Sequence, residues 1–241
     1  MAAIVNNSAK VFSNGNVTNL STASFAIGGS NRVLYVAVGS GAGTPIPPVS
    51  VKWGGSGGTA LTQVSTTLNA GGNGRVSLWR LTAPAATSST VYVDWGTNQD
   101  ETLIIAVAVE DADQTTPNGT IATATGNATS PTVNATAVVG DLVLDFTFFL
   151  DGNGNAMTFT VGSGQTSLQE IDGADLNFEG MAASRETAAG TSVTMDWTIG
   201  GASLGNTDWG SYAFAVNGGG APPASTSLSA RRRNTALMLQ F

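Results

Sequence analysis

Asn31 to Val38 (NRVLYVAV) and Gly140 to Thr147 (GDLVLDFT) read as two copies of one strand, and a common frame runs outward from them. Val51-Lys52-Trp53-Gly54 aligns with Phe159-Thr160-Val161-Gly162, and Ala60-Leu61-Thr62-Gln63-Val64 aligns with Ser167-Leu168-Gln169-Glu170-Ile171. Further on, Arg80-Leu81-Thr82 matches Arg185-Glu186-Thr187, Thr90 to Trp95 (TVYVDW) matches Ser192 to Trp197 (SVTMDW), and Ala106 to Val109 matches Ala213 to Val216. Apolar character is kept where identity is lost. A duplicated scaffold drifts in this way when packing is what constrains it.

Short runs of Val, Ile, Thr, Phe and Tyr alternate with polar residues and are broken by Gly, Asn and Pro clusters, the pattern of strands and turns. Val91, Val93 and Trp95 share one face, and Val193, Met195 and Trp197 share the matching face, so both copies predict an inward Trp and an outward Asp. The expectation is an all-β protein, an antiparallel β-sandwich or jelly-roll-like body built from two internal repeats, with short extensions at both ends. Its parts are an N-terminal arm over 1–16, a first repeat over 17–125, a second over 126–217, a Gly/Pro linker over 218–226 and a basic-apolar tail over 227–241. Periodicity leaves open whether the repeats form one sandwich or two.

The chain has 241 residues, of which 41% are hydrophobic and only 10% charged, so Thr, Ser, Asn, Gln and Gly must cover most of the surface. A formal net charge of -7 argues against nucleic-acid binding by the body, since phosphate neutralisation needs clustered Lys and Arg. With no Cys and no His, thiol catalysis, disulfides, Ser-His-Asp triads and His-ligated zinc are all removed. No apolar run approaches the roughly 18 residues of a membrane helix, and the start MAAIVNNSAKVF lacks the pattern of a signal peptide. The expectation is a product released by lysis or exported by another route.

What chemistry remains belongs to carboxylates, amides and aromatics. Asp151, Asn153 and Asn155 place oxygen ligands at alternate positions, the spacing of a loop wrapping a hard cation such as calcium, although the same residues form ordinary hairpin turns. Asp172, Asp175, Asn177 and Glu179 join them only if that second loop folds alongside. The acidic clusters Asp100-Glu101, Glu110-Asp111-Asp113 and Glu170-Asp172 are the raw material of a glycosidase pair, but they fall at strand ends where solvated turn formers are expected, so no enzymatic activity is assigned. Trp53, Trp79 and Trp209 are candidates for a sugar-stacking platform or an interface, with core burial the competing reading. Arg80 and Arg185, kept at matching positions, predict ion pairs with Asp94 and Asp196.

Leu34 to Pro117, through Val51-Lys52-Trp53-Gly54-Gly55, Ala60-Leu61-Thr62, Val76-Ser77-Leu78-Trp79 and Asp113-Gln114-Thr115-Thr116-Pro117, resembles β-sandwich proteins of phage and prophage virion gene sets. The resemblance implies a capsid-associated or decoration protein on the outer surface of a particle, with the major capsid protein, or further copies of itself in a homo-oligomer, as partners. The tail carries Arg231, Arg232 and Arg233 and ends in Leu237, Met238, Leu239 and Phe241, a basic then apolar segment suited to gripping a neighbouring subunit. The alternative expectation is an extracellular glycan-binding module or adhesin of the same architecture.

Overall fold

The computed structural model describes residues 2–41, 43–173, 175–176, 178–201 and 207–219. The protein is all-β and its sheets are antiparallel. Along the first half run β1 (Ile4–Ser13), β2 (Val17–Ser21), β3 (Phe25–Ala26), β4 (Val33–Gly41), β5 (Ser50–Trp53), β6 (Thr59–Ala60), β7 (Thr62–Gln63), β8 (Leu68–Ala70), β9 (Gly74–Thr82), β10 (Ser88–Ser89), β11 (Val91–Gln99) and β12 (Glu101–Glu110). The second half supplies β13 (Ala122–Asn127), β14 (Thr132–Thr136), β15 (Leu142–Asp151), β16 (Thr158–Val161), β17 (Thr166–Ile171), β18 (Glu179–Thr187), β19 (Ser192–Gly200) and β20 (Thr207–Val216).

Strand order repeats between the halves. The first has a large sheet β1-β12-β4-β9-β7 and a small one β2-β11-β5-β6; the second has β13-β20-β15-β18-β17 and β14-β19-β16. Interleaving first and last strands in this manner is the jelly-roll arrangement, in which each strand pairs with one distant in sequence. In the central strands even the register is kept. Val33 faces Thr82 as Leu142 faces Thr187, and Val36 faces Ala106 as Asp145 faces Ala213.

The halves form two sandwiches placed back to back through their large sheets. β4 lies over β15, β12 over β18, β9 over β20, β1 over β17 and β8 over β13. Exchanging repeat-related strands leaves this set of pairs unchanged, so the halves are related by a pseudo-twofold axis running along the strands, as in an isologous dimer. Gly39 and Phe148 occupy matching repeat positions and touch each other at that axis.

Central strands are therefore covered on both faces. Val33, Tyr35 and Ala37 of β4 enter the core between the halves with Leu144, Phe146, Phe148 and Phe214, while Leu34, Val36 and Val38 enter the first sandwich's own core with Trp53, Trp79 and Trp95. Tyr35 and Phe214 pack at 4.8 Å between ring centroids across the junction. Burying each such side chain stabilises the fold by roughly 1.5–3 kcal/mol. The joint is also pinned by polar contacts: Tyr212 Oη donates to the carbonyls of Thr66 (2.8 Å) and Val76 (2.7 Å), and Lys10 Nζ lies 2.7 Å from Asp175 Oδ2.

Three expectations change. Residues 1–16, expected as an N-terminal arm, contribute a strand to the body: β1 runs antiparallel along β12 from Ile4–Glu110 to Ser13–Thr102. The second half begins with β13 at Ala122, so a boundary at 125/126 would cut through a strand. β5 and β16 hold the same place in their sheets but not the same register: Val51 faces Val93, whereas Phe159 faces Ile199 instead of Met195. The linker and tail expected over 218–241 lie outside the described residues beyond Gly219.

Candidate functional site

The antiparallel path sends both ends of the body to one pole. Ile4 lies opposite Glu110, and the Gly219 amide donates to the Asp111 carbonyl at 2.6 Å. At the opposite pole β4 and β15 end while β12 and β18 begin, and there the halves leave a cavity of about 320 Å³. Its lining includes Glu101 from the first half and Leu150, Asp151, Phe178 and Glu179 from the second.

Three carboxylates thus line one space at the junction. Glu179 is fully buried, and neither of its oxygens has a hydrogen-bond partner among the described residues. Its carboxylate rests against Gly41, where any side chain would collide with it. Glu101 has its Oε2 buried without a partner, and burial raises its carboxyl above the usual range, with neighbouring Asp100 adding to the rise. Asp151 is buried, and its Oδ2 accepts from the backbone amide of Asn155 at 2.9 Å and from its side-chain amide at 3.0 Å. Phe178 stands 45% exposed at the wall. Among the described residues, no three carboxylates converge closely enough to hold one metal ion.

The residues of the cation-loop reading form a turn: Asp151 accepts from Asn155, and Asn153 is exposed. Of the second loop, Asp175 pairs with Lys10 and Glu179 lines the same cavity as Asp151, while Asn177 lies outside the described residues. A signal for Glu179 did exist in the sequence. It shares parity with Met181 and Ala183, both in the core between the halves, and a carboxylate on an inward face is out of place.

The aromatic platform is also corrected. Trp53, Trp79 and Trp209 are 3%, 8% and 7% exposed, packed in the sandwich cores, and offer no open face to a sugar ring. Arg80 does not pair with Asp94; its guanidinium donates to Asn118 Oδ1 at 2.6 Å, beside the Tyr35 hydroxyl. Arg185 lines a second hollow with Glu186 and Thr187, while Asp196 takes a hydrogen bond from Gln165 Nε2 at 3.0 Å. The Asp113-Gln114-Thr115-Thr116-Pro117 element is a turn. Asp113 Oδ1 accepts from the amides of Thr115 and Thr116, which hold its carboxyl below the usual range, and the Pro117 carbonyl receives both the Asn217 amide and the Tyr35 hydroxyl.

A second kind of feature lies along the outer edge of the second sandwich. Among the described residues, β13 pairs only with β20 and β14 only with β19, so each has a side that no described strand covers. From Gln114 to Val139 there is no charged residue, and in these strands Thr123, Thr125, Thr132, Asn134 and Thr136 are exposed. Val138 and Val139, at 68% and 66% exposure, close the edge at its turn. The Arg and apolar tail residues, Arg231 to Arg233 and Leu237 to Phe241, lie outside the described residues.

No protein-family model matches the chain, and no curated protein matches it.

Proposed function

We propose that the protein is a non-enzymatic structural subunit of a virion that decorates or cements a phage capsid through protein–protein contacts. The observation that carries this reading is the uncharged, unpaired edge formed by β13 and β14. Soluble β proteins usually guard such edges with Lys, Pro or inward charges, because bare backbone donors and acceptors recruit further strands. Among the described residues that guard is missing along both β13 and β14, beside the exposed Val138-Val139 turn. Strand addition by a neighbouring subunit would satisfy the backbone and cover the turn at once.

Two further features support it. A surface carried by Thr, Asn and Ser suits lasting contact better than repulsion, and jelly rolls recur in capsid domains, a fold-level analogy. Jelly rolls recur in lectins too, but the burial of Trp53, Trp79 and Trp209 removes the platform on which the glycan reading rested. The Arg231 to Phe241 tail is the second grip in this proposal, reaching the major capsid protein or another copy of the chain.

Co-sedimentation with phage particles tests the proposal. The wild-type chain should pellet with capsids, and Thr123→Lys with Thr125→Lys, both on exposed sites of β13, should release it without lowering the melting temperature. Equal pelleting of wild type and variant would remove the edge from the account, and failure of the wild type to pellet with any capsid would remove the function.

A further inference from the structure

We propose that the cavity between the two halves, lined by Glu101, Asp151 and Glu179, is a binding site for an organic cation, a guanidinium or ammonium group carried on an apolar stem. The site is independent of the β13–β14 edge and lies at the pole away from Ile4 and Gly219.

The reasoning starts from Glu179. An ionised carboxylate removed from water without a partner is costly enough that it must take up a proton or receive a positive charge. Among the described residues, the fully buried Glu179 has no partner for either oxygen, and the buried Glu101 Oε2 has none across the junction. Among the described residues, no basic side chain lines the cavity. To stand as carboxylates rather than as protonated acids, these two groups need a positive charge that arrives from beyond the described residues.

Shape then selects among cations. A bare metal ion needs its oxygens gathered within about 2.6 Å of one point, and no three carboxylates among the described residues converge in that way. A guanidinium spreads five N–H donors over a plane and can reach carboxylates that are set apart. The cavity, at about 320 Å³, has room for such a group with its stem, and Leu150 and the Phe178 ring supply apolar wall. An aromatic face beside a cation adds further attraction. Gly41 and Gly43 keep backbone, not side chains, against the acidic groups: a Cβ at Gly41 would strike Glu179, and one at Gly43 would meet Asp100 at 2.5 Å.

The duplication agrees. Glu179 corresponds to Gly74 in the first half, so one half supplies a carboxylate where the other supplies only backbone, and the pseudo-twofold junction becomes one-sided at this pole. A single site per chain results.

The test is isothermal titration of the full chain at fixed ionic strength with agmatine, with triarginine amide and with calcium chloride, repeated on Glu179→Gln and Glu101→Gln. Each substitution keeps the shape and removes only charge, and Glu179→Gln should fold at least as stably as the wild type because it removes an unpaired buried carboxylate. The expected result is one cation per chain, with affinity falling at least tenfold in both variants. Tighter binding of agmatine identifies a free small cation as the natural source, and tighter binding of triarginine identifies an arginine-bearing segment. The proposal is overturned if neither organic cation binds, if Glu179→Gln binds them as the wild type does, or if calcium binds more tightly than both and loses that affinity in the variants.

Discussion

Trp95 and Trp197 hold matching positions in the repeat, yet their indole nitrogens are treated differently. Trp197 Nε1 donates to Asp145 Oδ2 at 2.6 Å, whereas Trp95 Nε1 is buried without a partner among the described residues, because Val36 stands where the second half has Asp145. Replacing each by Phe should therefore separate them. Both lose indole volume, but Trp197→Phe also strips a donor from a buried carboxylate and should cost about 1.5–3 kcal/mol more than Trp95→Phe in urea melts. Equal costs would show that the Trp197–Asp145 bond contributes nothing net. Asp145 itself is fully buried, and burial raises its carboxyl above the usual range, opposed by donation from the Ser184 hydroxyl, Trp197, the Ser184 amide and Thr147. The folded chain thus retains a proton that the unfolded chain releases near pH ~3.9, so this group's contribution to stability falls as pH rises from there through its folded pKa. Glu101 and Glu186, also raised, act in the same direction but persist in the variant. Melting temperature measured from pH ~4 to ~7 should accordingly decline more steeply for the wild type than for Asp145→Asn, and parallel profiles would count against the assignment.

At the level of strands, close approach at the axis depends on a missing side chain. A Cβ on Gly39 would lie 2.7 Å from both Met181 Cε and Phe148 Cδ2, so Gly39→Val must force β4 and β15 apart. A loss of roughly 1–3 kcal/mol is expected from overpacking, against a change within about 0.5 kcal/mol for Gly15→Ala, whose Cβ meets nothing within 4 Å. Chemical denaturation of the two variants decides it. The strands most legible in the sequence were these central ones, because Val33 to Val38 and Leu142 to Leu150 are long and nearly continuous in apolar residues. Those same runs carried the information that both faces are covered, since a half-exposed strand would alternate. Edge elements were harder to read. β1 mixes Asn, Ser and Lys with Val and Phe because one long side of it is open, and it looks like an arm. The shift of β16 against β19 is set by loop lengths and by few pairings, which side-chain period does not record.

For the molecule as a whole, the large core between the halves implies that neither sandwich is complete alone. Residues 1–119 expressed by themselves would expose Tyr35, Leu78, Leu103, Ile105 and Val107 on one sheet face. Light scattering after size exclusion should find this fragment as a dimer using the same face, or in aggregates, and a stable monomer would show that the back-to-back contact is weaker than its burial suggests. The duplication was legible because it rests on repeated residue class. The pairing of the two halves was not, because it rests on which faces meet, and so the carboxylates drawn together from Glu101 and Glu179 could not be associated from their separation in sequence. The polarity of the body has a practical side. β12 alone, at ten residues, separates the two poles by roughly 30 Å, with Ile4 and Gly219 leaving from one and the acidic cavity opening at the other. Cargo spliced to either end of the described body would hang from the far side of that cavity, so a reporter, affinity tag or foreign epitope can be carried without shading it.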